Sequence, residues 1–361
     1  MICLCILPWY AGIHAAAADS VYDALSPADI ALPDGVQAEL DRAGISADSP
    51  ESVLNYTPSQ MLSSLWNTVR QEAAAPLYTM CGLLALTGVS ALLAGAGNCA
   101  PKMQQPFSKL SALLLAGSSA VPLAECLSRT AETLENGRLL MAGFVPVFSG
   151  FLAAGGSVTG AAAYQLMVLF LTECVMQLTA SCLLPMMQAA AGLGIADAVS
   201  PSLRLGSFAD GLRSAAGWIL GTVMALFAAL LSIRSFVAAA ADSVGARTVK
   251  LLSSSLIPIV GSAVSETYSS VSGSIRLIGA GVGAFGIAAV VFLILPPVLS
   301  VMIYRIVFRI CRIAADMTDS AMLKKLYANY ESVLSGAFAM LVSYAVMLIF
   351  STAVMLMLCS R

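Results

Sequence analysis

Six stretches of this chain are apolar over roughly the 20 residues that a helix needs to cross the hydrocarbon core of a bilayer. They are 76–96, 110–127, 164–190, 215–238, 277–303 and 333–358. Hydrophobic residues make up 59% of the 361 residues and charged residues only 11%, whereas a soluble domain averages about 25% charged residues. The mean hydropathy is +0.87. The pattern predicts an all-α fold, a polytopic transmembrane helical bundle embedded in a lipid bilayer.

The composition argues against several classes of function. The single histidine, His14, lies in the leader, so the mature chain lacks a histidine base or metal ligand. The nine cysteines form no C-x-x-C pair and are typical of small buried hydrophobes. With a net charge of −2, nothing indicates a nucleic-acid partner. We predict no enzyme activity and no catalytic, cofactor-binding or metal site.

The N-terminal region resembles a leader followed by an extracytoplasmic segment. Residues 1–18 hold an apolar run and then A-x-A cleavage sites, which predicts a signal peptide; a short membrane anchor is the alternative. Cleavage would leave 19–75 outside the cytoplasm, polar at first and ending in an amphipathic helix over 58–75. That helix either lies on the membrane surface or docks on the protein's own bundle, and we favour docking.

Basic residues set the expected orientation. Five of them fall in 304–332, which is predicted to be a cytoplasmic basic loop. Two further apolar stretches, 139–157 and 251–265, are short and interrupted by proline. If they are re-entrant the chain has six spans, with Arg204 and Arg213 inside. If they cross it has eight, with Arg247 and Lys250 inside, and basic-residue counts do not separate the two.

A short pattern occurs twice, as GFVPVFSG at 143–150 and SLIPIVGS at 255–262. Pro146 and Pro258 are 112 residues apart, as are Pro185 and Pro297. These landmarks predict an internal duplication with membrane repeats at 105–200 and 217–312. The first span, 76–96, precedes the repeats, and the last span, 333–358, follows them.

Each copy of the pattern combines a proline with a following glycine: Pro146 with Gly150, and Pro258 with Gly261. Proline removes a backbone donor and interrupts a helix, and inside a bilayer the freed groups must be satisfied by protein or by a water-filled cavity. Paired broken helices are typical of transporters. We therefore predict that these residues lie near a conduit; the alternative is a kink that merely fits the packing.

Charged and small residues within the apolar stretches provide further candidates. Glu173 lies about ten residues into its span, where a carboxylate is costly unless paired, protonated or hydrated. It is a candidate conduit residue, or a protonated group bonded to a neighbouring helix. Glu266, behind the second broken stretch, either lines a vestibule or is simply solvated. Gly279 and Gly283 have the G-x-x-x-G spacing of close helix packing.

Glu125 and Arg234 lie near the ends of their own spans. They either pair between helices or extend separately to the interface, and we favour the second interpretation.

The stretch KLLSSSLIPIVGSAVSETYSSVSGSIRLI at 250–278 resembles the signature region of the stage III sporulation protein AE family. The order of leader, polar segment and polytopic region is also similar, so the resemblance covers essentially the whole chain, although the leader lacks the expected basic residues. The best-matched positions are Ser254, Pro258, Gly261, Ser265 and Gly273. The signature includes no catalytic motif.

The resemblance implies a subunit of the multi-protein channel between the mother cell and the engulfed forespore of endospore-forming bacteria. It implies a location in the mother-cell-derived outer forespore membrane, with the N-terminal segment in the intermembrane space. Ring, platform and ATPase-like subunits are the implied partners, and support of forespore development is the implied role. The leading expectation is a permease-like or channel-forming subunit; a non-conducting platform subunit and a stand-alone secondary transporter are the alternatives.

Overall fold

The computed structural model describes residues 58–97, 101–154, 158–199, 205–256, 261–317 and 320–359, and all of these except Leu205 and Ser320 are helical. The elements are α1 (Pro58–Gly97), α2 (Pro101–Ala154), α3 (Val158–Leu178), a π-helical turn (Thr179–Leu183), α4 (Leu184–Val199), α5 (Gly206–Leu256), α6 (Gly261–Met317) and α7 (Ala321–Cys359). The prediction of an all-α fold is confirmed. The predicted signal peptide and residues 19–57 lie outside the described residues.

Within the described residues, five helical stretches are long and apolar enough to cross a membrane, which confirms a polytopic membrane protein. They are Trp66–Ser90, Gln165–Val199, Gly206–Leu230, Val282–Met317 and Ala321–Val354. Helix α2 is not among them. The predicted span 110–127 lies in this helix and stays a prediction, because the side chains of 101–109, 111 and 112 lie outside the described residues.

Helix α7 is the centre of the bundle. It pairs with α6 as an antiparallel hairpin and also contacts α2, α4 and α5. Several of its side chains are fully buried, among them Tyr327, Tyr330, Leu341 and Leu348. Burial of so many large side chains on one helix stabilises the bundle through area removed from lipid and water and through close packing.

The helices alternate in direction, as contacts along α7 show. Near its start, Tyr327 hydrogen-bonds to Thr87 of α1 at 3.0 Å, and the Tyr330 hydroxyl donates to the carbonyl of Ala116 on α2 at 3.1 Å. Farther along, Tyr344 packs against Gly137 of α2. Helix α2 therefore runs parallel to α7, and both start at the end of the bundle where α6 stops. We refer to this end as the connection end.

The amphipathic helix and the first span predicted from sequence form one helix, since α1 continues for 40 residues through Pro76. Its early part packs on the bundle, because Thr68 is buried and Glu72 pairs with Arg129 of α2. Docking of the predicted apolar face stays a prediction, since Trp66 of that face is 68% exposed.

The basic region 304–332 is not a loop. Helix α6 continues to Met317 and α7 starts at Ala321. Val307, Phe308, Cys311 and Ala315 are buried at helical spacing, so apolar contacts hold this basic region in the hairpin. Lys324 adds an ion pair to Asp316 across the turn at 2.6 Å.

The predicted break at Pro146 is not confirmed, because residues 139–154 continue α2 through it to Ala154. In the second predicted stretch, 251–256 continue α5 and Gly261 begins α6. Pro258 lies outside the described residues, so its predicted break stays a prediction.

The internal duplication is not confirmed either. Pro185 follows the π-helical turn, in which the Leu184 N–H bonds to the carbonyl of Thr179. Its proposed counterpart Pro297 lies with Pro296 inside continuous α6. The two members of this landmark pair therefore differ in local backbone structure, and the repeat stays a prediction.

Candidate membrane-embedded polar site

Helix α2 carries a run of charged side chains through the middle of an apolar bundle. Glu125, Arg129, Glu132, Glu135 and Arg138 recur at spacings of three and four residues, so successive members lie close together along the helix. Neighbouring helices add one carboxylate to each arginine, which divides the charges into two clusters.

The first cluster, the Arg129 cluster, joins α1 to α2. Arg129 Nη1 lies 3.2 Å from Glu72 Oε2, and Nη2 lies 3.3 Å from Glu125 Oε1. Glu125 is therefore paired within its own helix rather than extending alone, whereas the side chain of Arg234 lies outside the described residues. Tyr304 of α6 is packed close to this cluster.

The second cluster, the Arg138 cluster, joins α2 to α3. Arg138 Nη2 lies 2.6 Å from Glu135 Oε1, and Nη1 lies 3.3 Å from Glu173 Oε2. The side chains of Arg138, Glu135 and Glu173 are 32%, 45% and 57% exposed. Glu173 is thus paired with a guanidinium, and the bundle leaves much of all three side chains uncovered.

The Arg138 cluster lies deep within the apolar part of the bundle. Its neighbour Gly137 leaves no room for a Cβ against Tyr344, whose Cε1 would lie 2.5 Å away. Tyr344 comes 13 residues after Glu331, the last charged residue of α7, which is about 20 Å at a helical rise of about 1.5 Å per residue. Exposed charges at this depth cost several kcal/mol in contact with hydrocarbon, so they require water or another protein surface.

The proline-containing end of α2 lies beyond this cluster. Pro146 and Gly150 are half-buried, and Ser149 Oγ lies 2.8 Å from the Pro146 carbonyl and 2.9 Å from Gln165 Oε1 of α3. In the other predicted unit, Gly261 is the first residue of α6, and the Glu266 side chain lies outside the described residues. Among the predicted conduit residues, the described contacts bring Glu173 to Arg138 rather than to the proline motif.

Close packing at Gly279 and Gly283 stays a prediction. Gly283 is buried on α6, and Gly279 lies on the same helix with its surroundings undescribed. A closer helix contact, missed from the sequence, occurs three residues later: a Cβ on Gly286 would clash with the ring of Phe144 on α2. Gly286 also belongs to the glycine-rich stretch, but spacing alone does not select it.

A polar junction at the connection end also escaped sequence reasoning. Asn329 of α7 accepts a hydrogen bond from Arg213 of α5 at 2.6 Å and donates one to the carbonyl of Ala191 on α4 at 3.1 Å. Gly194 packs directly against the amide. The partners are more than 100 residues apart in sequence, so only the folded arrangement reveals them.

Within the part of the chain that the structure describes, no group of three or more His, Cys, Asp or Glu side chains is arranged to hold a metal ion. The two clusters consist of carboxylates paired with guanidiniums, which form charge-assisted hydrogen bonds.

Comparison with known proteins gives one family. The family model described as Stage III sporulation protein AE matches residues 47–359. A curated relative of that name from Bacillus subtilis (strain 168) is 21% identical over 262 residues, which cover 71% of this chain and 65% of the relative, somewhat under two thirds of its length. No solved structure matches.

Proposed function

The chain belongs to the stage III sporulation protein AE family, and we propose that it is a permease-like or channel-forming membrane subunit of the sporulation complex linking mother cell and forespore. In this role it supports forespore development. The observation that carries the proposal is the Arg138 cluster, an exposed ionic group at a depth where lipid is an unfavourable neighbour.

The cluster supports a hydrophilic path along α2 and α3. Glu135, Arg138 and Glu173 are partly exposed at a depth where a lipid-facing helix carries apolar side chains. Charged side chains at this depth require contact with water or with protein. Glu132 is also exposed, on the same stretch of α2. These four side chains would line one wall of the conduit, and the rest of the wall would come from partner subunits.

The proposed setting follows from the family and from charge. The bilayer is the mother-cell-derived outer forespore membrane, and the partners are the ring, platform and ATPase-like subunits of the complex. The connection end carries the basic residues of 304–332 and is proposed to face the mother-cell cytoplasm. The N-terminal segment then faces the intermembrane space.

Two predictions from sequence remain part of the proposal. The signal peptide ends near residue 18, and the membrane region contains two related units, 105–200 and 217–312. Pro146, Gly150, Pro258, Gly261 and Glu266 belong to this proposed duplicated arrangement, and Glu173 is its link to the Arg138 cluster.

Water access to the proposed path is tested with single cysteines in a cysteine-free full-length chain expressed in sporulating cells. Glu173→Cys, at the Arg138 cluster, is compared with Val346→Cys, whose side chain is 54% exposed on α7 and lies two residues from Tyr344. A charged, membrane-impermeant thiol reagent is expected to label the first position and not the second. Equal protection of both positions would contradict a water-filled path.

A functional measurement accompanies the labelling. Glu173→Gln removes the charge that pairs with Arg138 and keeps the shape of the side chain, so we expect fewer heat-resistant spores at normal protein level. Val346→Ala, at an exposed apolar site of similar depth, is the matched control and should leave spore yield unchanged. Normal spore yield from Glu173→Gln would favour the non-conducting platform.

The platform is the second candidate because Arg138 is already neutralised by two carboxylates within the chain. A closed ionic network of this kind also fits a rigid surface that packs against partner spans and conducts nothing. The labelling experiment separates the two functions, since a dry protein interface would protect Glu173→Cys.

A further inference from the structure

The basic side chains of this bundle divide into paired and unpaired groups. Of the nine whose surroundings the structure describes, six form ion pairs with carboxylates: Arg129, Arg138, Arg213, Arg312, Lys324 and Lys325. The others, Arg70, Arg305 and Arg309, pair with no carboxylate among the described residues. Two of these three, Arg305 and Arg309, are one turn apart on α6, so their guanidiniums can reach the same ligand.

The surface around these two arginines is apolar. Met302, Ile306 and Ile313 are 41%, 48% and 56% exposed and lie at helical spacings that put them beside Arg305 and Arg309 on the outer face of α6. This surface combines exposed aliphatic side chains with two cations that have no carboxylate partner among the described residues. A single anionic lipid, with its apolar chains and charged headgroup, could contact both parts.

The position along the helix fits the edge of the hydrocarbon core. Residues 277–304 contain no charged side chain, and Arg305 is the first charge to follow them. The stretch is about 42 Å long at a rise of about 1.5 Å per residue, more than enough to cross the core, which is about 30 Å thick. Arg305 and Arg309 therefore lie where long cationic side chains reach the headgroups.

We propose that Arg305 and Arg309 bind the phosphate of an anionic phospholipid whose acyl chains lie on Met302 and the half-buried Val298, toward the middle of the hydrocarbon core. Two guanidiniums one turn apart match a phosphate, which accepts several charge-assisted hydrogen bonds. The aliphatic face favours a lipid over a soluble acidic segment, because only acyl chains cover it. Lys324 and Lys325 carry the same charge at the same end of the bundle, but they form ion pairs with Asp316 and Asp197.

The test uses the full-length protein in nanodiscs of phosphatidylcholine, with phosphatidylglycerol added in increasing amounts. Retained lipid is counted by native mass spectrometry after transfer to detergent. The variant Arg305→Gln/Arg309→Gln is compared with Lys324→Gln/Lys325→Gln, which changes the net charge by the same amount at paired residues. We expect phosphatidylglycerol retention to be roughly twentyfold weaker in the arginine variant and nearly unchanged in the lysine variant.

Two outcomes would overturn the proposal: equal losses in both variants, which indicate diffuse attraction to a basic surface, and no loss in either. Displacement of the lipid by inorganic phosphate alone would also contradict it, because the site would then select a free anion. If the glutamine variant does not fold, Arg305→Lys/Arg309→Lys keeps the charge and removes the planar fork. Retention below that of both wild type and Lys324→Gln/Lys325→Gln is then expected, and retention equal to wild type would contradict a site built on guanidiniums.

Discussion

At the residue scale, Asn329 joins three helices through one amide, and Gly194 makes this possible. A Cβ on Gly194 would overlap the amide group of Asn329. The substitution Gly194→Ala therefore has to displace Asn329 from Arg213 and from the Ala191 carbonyl. Leaving buried polar groups without partners costs on the order of 1–3 kcal/mol. We predict that Gly194→Ala lowers the thermal unfolding temperature of the purified protein.

The same helix provides a matched control. Gly192 is exposed, and a Cβ placed there would meet nothing within 4 Å. Since alanine is the better helix former by about 1 kcal/mol, Gly192→Ala should be neutral or slightly stabilising. If both alanines shift the unfolding temperature equally, the contact with Asn329 does not determine the requirement for glycine.

Only some of these individual residues could be predicted from the sequence. Glu173 was identifiable because one carboxylate interrupts an apolar run. Its partner Arg138 is 35 residues away on another helix, so no local pattern joins the two. Gly286 and Asn329 carried no signal, because their roles depend on the ring of Phe144 and the guanidinium of Arg213, which reach them only after the helices pack.

At the element scale, helix α2 is continuous through Pro146. Proline at position 146 has no N–H to donate to the carbonyl of Ala142, and an interior proline costs up to about 3 kcal/mol relative to alanine. We predict that Pro146→Ala supplies that hydrogen bond and raises the unfolding temperature. Thermal unfolding in detergent measures the effect.

Pro122 is the control, because it lies inside the same helix but is buried. Pro122→Ala should give a smaller gain, since the lost ring volume leaves a cavity. If Pro146→Ala reduces spore yield at normal stability while Pro122→Ala does not, the proline has a conformational role that a continuous helix does not explain.

Hydropathy predicted the helices that a long apolar stretch is enough to define. The stretches 164–190, 277–303 and 333–358 overlap three of the helical stretches of span length, Gln165–Val199, Val282–Met317 and Ala321–Val354. Mean hydropathy over a window did not predict that charged segments are helical. Such an average does not record that Arg129 pairs with Glu125, and Arg138 with Glu135, inside one helix. For the same reason the basic region 304–332 resembled a loop, although the side chains buried beneath it are apolar.

At the scale of the whole molecule, the contacts favour the arrangement with six spans over the arrangement with eight. Asp197, near the end of α4, lies 3.9 Å from Lys325 of α7 and packs against Gly206, where α5 begins. Helix α5 therefore starts at the connection end, beside the basic region. It continues for 51 residues, about 77 Å, which is enough to cross the bilayer and extend beyond it.

This geometry yields opposite sides for two positions on α5. Ser207 lies in its first turn, and Ala246 lies 39 residues later on the same helix. In full-length, cysteine-free protein in intact cells, we predict that Ser207→Cys is protected from an impermeant thiol reagent, as Lys324→Cys is, whereas Ala246→Cys is labelled from outside. Permeabilising the cells should expose Ser207→Cys and Lys324→Cys together. Labelling of Ser207→Cys from outside, with Lys324→Cys still protected, would mean that α5 does not begin on the side of the basic region, and would favour eight spans over six.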